Sequence, residues 1–590
     1  MKIRYLDGPR LFRAFAAGAE ALIGEREEID RINVFPVADA DTGTNMVATV
    51  RAVLHRAEVH PELCLTASSM AAAAVAGARG NSGLILAQYL YGVSHEIGQR
   101  ATIAGDALGD LLVRAVRWAR EAIGQPVEGT ILTVIRDWAH AVQRHQHRFP
   151  DLADLLPAAL PAARDSLLAT PTRLAVLAKA GVVDAGAKGF VTLLEGMVTL
   201  VRARSRRAVS IPRPAPAPAV TAHAPTSAEG PRYCTEVLVT GGSAGLAELR
   251  HVAEAAGESV VIAGGPGALH LHVHTDEPAR LFARLEEHGR IESPKVDDMR
   301  RQYEAAHARM SRIAVVTDST CDLPREVLDA HQIHVVPVTI QIGGSNHLDR
   351  LTITPRSLYE RLAATDCSAT TSQAAAADFE SVFAAAVQHY EAVLALPLAG
   401  RLSGTCNAAR LAAEHCGGTI VVVDSRRVSA ALGLLVLRAA EAAADGMDLG
   451  QLVPAVESWI DKTNIFVAPQ NLDAIRRSGR LHGVKGLAAS LLGVVPVLSL
   501  ADDGAIHSAS VARLQTGARA AIEARLRSLV ETCRVRSWAV VHANASEAAE
   551  AWGRELTSIM GSEPLFVTDA APALGIHAGP GTLGVAVMRE

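Results

Sequence analysis

The chain has 590 residues, room for three or four domains of ordinary size, and 49% of them are apolar, so burying true cores is within reach. Formal net charge is −5, and no basic stripe is interleaved with aromatics, which argues against nucleic acid as a main partner. Seven cysteines (64, 234, 321, 367, 406, 416 and 533) lie scattered without a CxxC pair, so a reduced, cytoplasmic protein is expected.

The opening stretch "MKIRYLDGPRLFRAFAAGAEALIG" spreads charges at helical spacing and has no uninterrupted apolar core, which excludes a signal peptide. From there to about residue 205, Ala/Leu-rich runs at a 3.6-residue period predict helices separated by short Gly or Pro breaks. The Pro/Ala-rich segment 206–232 cannot build a core and reads as an extended linker. Between 233 and 310 the strands "CTEVLVT", "SVVIAGG" and "LHLHVHT" predict a small α+β domain, closed by "PKVDDMRRQYEAAHARM" as a connecting helix. From 311 to 590 short apolar strands alternate with helices, the pattern of an α/β region with ligands at strand carboxyl ends. The apolar run "LAASLLGVVPVLSL" is broken by Gly493 and Pro496 and reads as buried helix then strand, not as a membrane span.

Three groups of residues carry candidate chemistry. In "NVFPVADADTGTNM" (33–46), Asp39 and Asp41 at i and i+2 point the same way in an extended segment, and the repulsion asks for a cation or a shared proton. Hard oxygen ligands suit Mg²⁺, which usually arrives with substrate phosphates; the alternative is a helix N-terminus capped by Asp39 or Asp41. "GARGNSG" (77–83) and "GVVDAGAKG" (181–189) are glycine-rich breaks before helices, suited either to a phosphate or to tight interhelical turns. No Walker lysine motif is present, so nucleotide chemistry of the P-loop kind is excluded. Along "LHLHVHTDEP", His270, His272 and His274 share one face of a strand, and with Cys234 they make either a zinc site or simply a polar sheet face. Further on, "VVTDSTCDLP" (315–324), "TTSQ" (370–373), "RLSGTCNAAR" (401–410), "RRSGRL" (476–481) and "GIHAGPGTLG" (575–584) are small-polar turns. Ser403 and His577 invite a hydrolase reading, which the lack of a GxSxG elbow and of an acidic partner disfavours.

Together, "NVFPVADADTGTNM", "GARGNSG", "PVEGTILTV" (126–134) and "GVVDAGAKG" resemble the ATP-binding domain of the dihydroxyacetone-kinase superfamily, and more closely the kinase subunit of bacterial fatty acid kinase. The resemblance implies an all-helical barrel over 1–205. In it Asp39 and Asp41 would hold Mg²⁺ on ATP, Thr42, Thr44 and Asn45 would lie beside the phosphates, and Gly80, Asn81, Ser82 and Gly83 would cradle them. Departures from that family are Ala38 for a proline, Ala40 for a glycine, and Val34 for a third aspartate whose place Asn33 or Asp30 would take. The middle domain is similar to that family's, implying that Cys234, His272 and His274 bind a structural Zn²⁺. The C-terminal motifs resemble the DegV family of fatty-acid-binding proteins. This implies that Thr371 and Ser403 hold a fatty acid carboxylate, with His577 close by and Arg480 near the exposed carboxyl end.

The expectation is therefore a multidomain fatty acid kinase, turning ATP and a fatty acid into ADP and an acyl phosphate for phospholipid synthesis. Expected partners are the fatty acid, ATP, a downstream acyltransferase, a second copy in a homodimer, and a membrane surface touched peripherally for lipid exchange. Two rivals stand beside it: a lipid-binding scaffold with a degenerate kinase domain, and a kinase for dihydroxyacetone or another small polyol. The second lacks any counterpart of the domain that captures that substrate.

Overall fold

The computed structural model describes residues 3–35, 41–203, 230–364, 368–470, 473–477, 479 and 494–590. Asp39, Arg480 and nearly all of the expected linker lie outside the described residues. Two compact units are present, Met1–Tyr303 and Glu304–Glu590.

In the first unit the 3.6-residue apolar period is realised as helices whose buried stripes meet in one core that includes Phe15, Leu22, Val50, Leu84, Ile135 and Phe190. Neighbouring helices close a ring. Gly8–Gly24 packs on Ala185–Arg202, then follow Leu152–Leu168, Ile131–His145, Gly105–Glu121, Gly80–Ile97 and Leu63–Gly77, which returns to Gly8–Gly24. The expected all-helical domain carries one small exception: Tyr5–Leu6 and Ile103–Ala104 pair antiparallel.

The same unit contains a four-stranded antiparallel sheet in the order Glu258–Gly265, Ala268–Thr275, Tyr233–Thr240, Arg290–Asp298. Odd-numbered residues such as Val237, Val239, Leu271 and Val273 pack with Leu249 and Phe282 of the helices Leu246–Glu254 and Pro278–Glu286. In the two central strands, Tyr233–Thr240 and Ala268–Thr275, the even-numbered residues take the opposite face, where the register sets Cys234 beside His274 and Asp297, and Glu236 beside His272 and Lys295. Here the expected connecting helix is corrected. "PKVDD" belongs to the strand Arg290–Asp298, and the helix starts only at Met299. Ladder hydrogen bonds to Tyr233–Thr240, distant in sequence, override the charged composition that favoured a helix.

In the second unit a parallel sheet runs Ile420–Val422, Ala392–Leu396, Ile313–Asp318, His334–Val336. A mixed sheet of six strands runs Ile506–Arg513, Val494–Leu500, Thr463–Ala468, Leu583–Arg589, Val535–His542, Val567–Asp569. The helix Ser429–Ala444 is apolar nearly all round because it is buried in a core drawn from both sheets. A short three-stranded sheet, Ser345–Leu348, Thr339–Ile342 and Ala369–Ser372, brings the "TTSQ" segment alongside. Among the described residues no helix is long and apolar enough to cross a membrane.

Candidate functional site

The four N-terminal motifs meet at the starts of four helices. Asp41 occupies the N-cap position of Thr42–Arg56, but its side chain makes no capping hydrogen bond. Asp30 does that work instead: its carboxylate accepts from Thr44 N at 2.9 Å and from Thr44 Oγ1 at 2.8 Å. Burial raises the Asp30 pKa, and the charge of Asp41 adds to the rise. Gly80 adopts φ +58°, a left-handed conformation that suits glycine, and a Cβ there would collide with the side-chain amide of Asn45. A Cβ on Gly83 would strike Thr49 Oγ1, and one on Gly186 would stand 2.8 Å from Ser82 Oγ. Asp184 caps Ala185–Arg202 through Ala187 N at 2.8 Å and also accepts from the backbone of Ile131; burial pushes it up to about 6. Helix N-termini gathered in this way favour an anion. The buried Asn81 Oδ1 has no hydrogen-bond partner among the described residues, an acceptor that a cation or a donor would satisfy.

One detail departs from expectation. The Gly80 N–H, the first of its helix, already donates to Glu236 Oε1 at 2.6 Å. Gly80 therefore serves close packing and an internal hydrogen bond, and that amide is not open to a phosphate.

Cys234, His272 and His274 form the one cluster of metal-ligating type found among the described residues, their ligand atoms all within 4.8 Å of one another. His272 Nε2 faces His274 Nε2 at 3.1 Å, close to the roughly 3.3 Å separation of two nitrogens bound tetrahedrally to one zinc. His272 Nδ1 lies 3.8 Å from Cys234 Sγ and 3.5 Å from Glu236 Oε1. Burial, then the neighbouring charge of His272, holds His274 down to about 3, which keeps it neutral as a ligand must be. Burial raises the Cys234 thiol well above its ordinary value, Glu236, Asp297 and Asp41 push the same way and Lys295 opposes them, so a bound cation would favour the thiolate. The donor set fits Zn²⁺. His270, on the same face, is committed elsewhere: its Nδ1 is 2.8 Å from the carbonyl of Val75.

In the second unit a cavity of about 180 Å³ is lined by strands of the mixed sheet and by segments that follow the parallel strands. Leu398, Val428, Ile465, Val467, Leu500 and Ile506 give it apolar walls. Thr371, Ser403 and His577, remote from one another in sequence, line it as well. Thr371 Oγ1 and His577 Nε2 are hydrogen-bonded at 2.7 Å, and Ser403 Oγ lies 2.9 Å from Thr405 Oγ1. Such a space takes a long apolar group with a polar head.

Residues 312–590 match the family model for the DegV family of uncharacterised proteins. Over 278 residues the chain is 34% identical to a DegV domain-containing protein of Deinococcus radiodurans, covering 47% of this chain and 98% of that protein. The chain belongs to the DegV family. Ahead of the DegV domain, residues 36–199 match the DAK2 domain and 230–306 match the FakA-like middle domain of fatty acid kinase. The chain is 31% identical over 330 residues to protein YloV of Bacillus subtilis, covering 53% of this chain and 59% of YloV, so it spans little more than half of that relative. Among solved structures, a DegV family protein of Thermus thermophilus, reported for its fatty acid binding, is 30% identical with a TM-score of 0.45, over 47% of this chain and all of that one.

Several residues around the DegV cavity escaped the sequence reading. Asp322 and Asp349 are fully buried and tie down the helix Pro572–Ala578, which carries His577: Ala571 N donates to Asp322 Oδ1 at 2.7 Å, and Ala573 N to Asp349 Oδ1 at 3.0 Å. Burial pushes Asp322 up to about 6 and Asp349 up to about 7. "VVTDSTCDLP" thus contributes a support for the histidine helix, in addition to Thr320 on the cavity wall. In the DAK2 and middle domains the overlooked residues are Asp184 and Glu236, each acting on a backbone amide many positions away, while Asp30, expected as a stand-in for the third aspartate, accepts from Thr44.

Proposed function

We propose that the chain is a fatty acid kinase carrying its lipid-binding domain on the same polypeptide, transferring the γ-phosphoryl group of ATP to a fatty acid carboxylate. The observation that carries this reading is the apolar DegV cavity with hydroxyl and imidazole groups among its lining residues, in a chain whose other domains match DAK2 and the FakA-like middle domain of fatty acid kinase. A carboxylic acid with pKa near 4–5 is already anionic at neutral pH, so no general base is required. One carboxylate oxygen bonds to the γ-phosphorus, the bridging β–γ P–O bond breaks, and ADP leaves with the electron pair.

The residues then have defined tasks. Thr371 and Ser403 hold the carboxylate by donated hydrogen bonds, His577 orients Thr371, and Arg480 lies near the exposed carboxyl end. Asp39 and Asp41 hold Mg²⁺, Thr42, Thr44 and Asn45 lie beside the phosphates, and Asn81, Ser82 and Gly83 cradle them. The orphaned Asn81 Oδ1 supports that assignment. Bound Mg²⁺ would neutralise phosphate charge as it shifts to the leaving group. Cys234, His272 and His274 hold a structural Zn²⁺. An acyl phosphate is a reactive mixed anhydride, so an acyltransferase is the partner that the product calls for. The boundaries 1–205, 206–232, 233–310 and 311–590 are proposed as the working domains, in the cytoplasm.

The test is acyl hydroxamate formation by the full chain with hydroxylamine as trap, in the presence of Mg²⁺, ATP and a long-chain fatty acid. Stoichiometric ADP and hydroxamate are expected, and Asp39→Ala and Asp41→Ala should each abolish both without unfolding the protein. Lipid binding without any hydroxamate would instead favour a lipid-binding scaffold. Ala40, where the family has glycine, is the feature that motivates that second reading.

A further inference from the structure

Glu236 stands where the middle sheet meets the DAK2 helices, on the strand face it shares with Cys234 and His272. It is 2% exposed. One oxygen accepts from Gly80 N–H at 2.6 Å, the other from Arg79 Nη1 at 2.9 Å. The first oxygen also lies 3.5 Å from His272 Nδ1. Arg79 and Gly80 open the helix Gly80–Ile97, so a single carboxylate joins the glycine loop of one domain to the Cys/His cluster of the next.

We propose that Glu236 is a positioning residue: it latches the first turn of the helix Gly80–Ile97 to the middle sheet, and so sets nucleotide affinity from outside the DAK2 domain. This rests on the reading that residues 80–83 border the nucleotide. Gly80, at φ +58°, has more backbone freedom to lose than any other residue type would, and a fixed charged acceptor is the means to hold it. Arg79 pairs with the same carboxylate, so the latch adds no uncompensated negative charge beside a phosphate. The sheet that carries Glu236 is itself held on these helices. Gly264 N donates to Gln88 Oε1 at 2.6 Å, and Ile262 N to the carbonyl of Ala122 at 2.9 Å.

Two measurements on the full chain test the latch. Hydrogen exchange of segment 78–84 reads it with no nucleotide present: exchange about tenfold faster is expected in Glu236→Ala. Calorimetric titration with Mg²⁺ and a non-hydrolysable ATP analogue should show affinity weakened about tenfold in Glu236→Ala and largely restored in Glu236→Gln, whose amide oxygen still accepts from Gly80. Unchanged exchange in a folded Glu236→Ala chain overturns the proposal, as does tighter nucleotide binding, which would make Glu236 a competitor of phosphate. If Glu236→Ala fails to fold, Arg79→Gln removes only the charged half of the latch. It should quicken exchange and weaken binding severalfold, and wild-type values in it overturn the proposal. A wild-type chain that binds no nucleotide sinks the kinase reading while the exchange result still decides the latch.

Discussion

Thr371, Ser403 and His577 form the polar part of the DegV cavity, and what each contributes follows from the hydrogen atoms available. A threonine hydroxyl has one proton to donate. If His577 Nε2 carries a proton and donates to Thr371 Oγ1 across 2.7 Å, that hydroxyl is left free to donate to a carboxylate. A hydrogen bond to a charged acceptor is worth about 1.5–3 kcal/mol, so Thr371→Val with Ser403→Ala should weaken fatty acid binding by well over ~10-fold. The apolar walls, at about 0.8 kcal/mol per buried methylene, should leave residual affinity. Fluorescent-lipid displacement measures this, and equal affinity in variant and wild type would move the carboxylate elsewhere. Asp349 offers a second test through pH. Burial raises its folded pKa to about 7, against an ordinary value near 3.9 in the unfolded chain. The folded state therefore prefers the protonated acid, whose contribution to stability is complete below the unfolded pKa and is lost as pH rises through about 7. Asp349→Asn keeps an acceptor for Ala573 N and has no proton to lose. Its melting temperature should gain on wild type between pH 5 and pH 8, and parallel melting curves across that range would refute the buried-acid assignment.

The strand Ala268–Thr275 shows how far sequence alone reaches at the level of an element. Its two-residue alternation made the shared face of His270, His272 and His274 legible, because the period of a strand is local information. Which of the three join Cys234 was not local: the register pairing Cys234 with His274 and Glu236 with His272 decides it, and Val75, nearly two hundred positions away, claims His270. Zinc content follows from this arrangement. Purified protein should hold about one zinc per chain by elemental analysis, and a Cys234→Ala, His272→Ala double variant should hold none. Carefully prepared wild-type protein free of metal would leave the histidines as an ordinary sheet face. The misread "PKVDD" has the same origin, since its strand exists through pairing with Tyr233–Thr240 and its charged composition gives no hint of that. The helix Pro572–Ala578 is a third case. "GIHAGPGTLG" announced a functional turn, but the carboxylates that hold its helix come from Asp322 and Asp349, more than two hundred residues earlier. Helix starts and glycine breaks were readable because caps and turns are short-range chemistry; supports reached across the fold were not.

On the scale of the whole chain, each compact unit closes its own hydrophobic cores, around Phe15, Leu22 and Phe190 in one and around the buried helix Ser429–Ala444 in the other. Two units with separate cores should unfold in separate steps, and each should be stabilised only by its own ligand. A ligand at 100 times its Kd stabilises the unit that binds it by about 2.7 kcal/mol. For units of this size that corresponds to a rise of roughly 4 °C in melting temperature. Calorimetry of the full chain should accordingly show one transition raised by a long-chain fatty acid and the other raised by Mg²⁺ with an ATP analogue. The fragments 311–590 and 1–310 should reproduce the two responses individually, and the Thr371→Val, Ser403→Ala variant should show a smaller lipid response with the nucleotide response unchanged. A fatty acid that raises the transition of 1–310, or one that leaves 311–590 unmoved, would take the lipid out of the DegV cavity and with it the acceptor half of the proposed reaction.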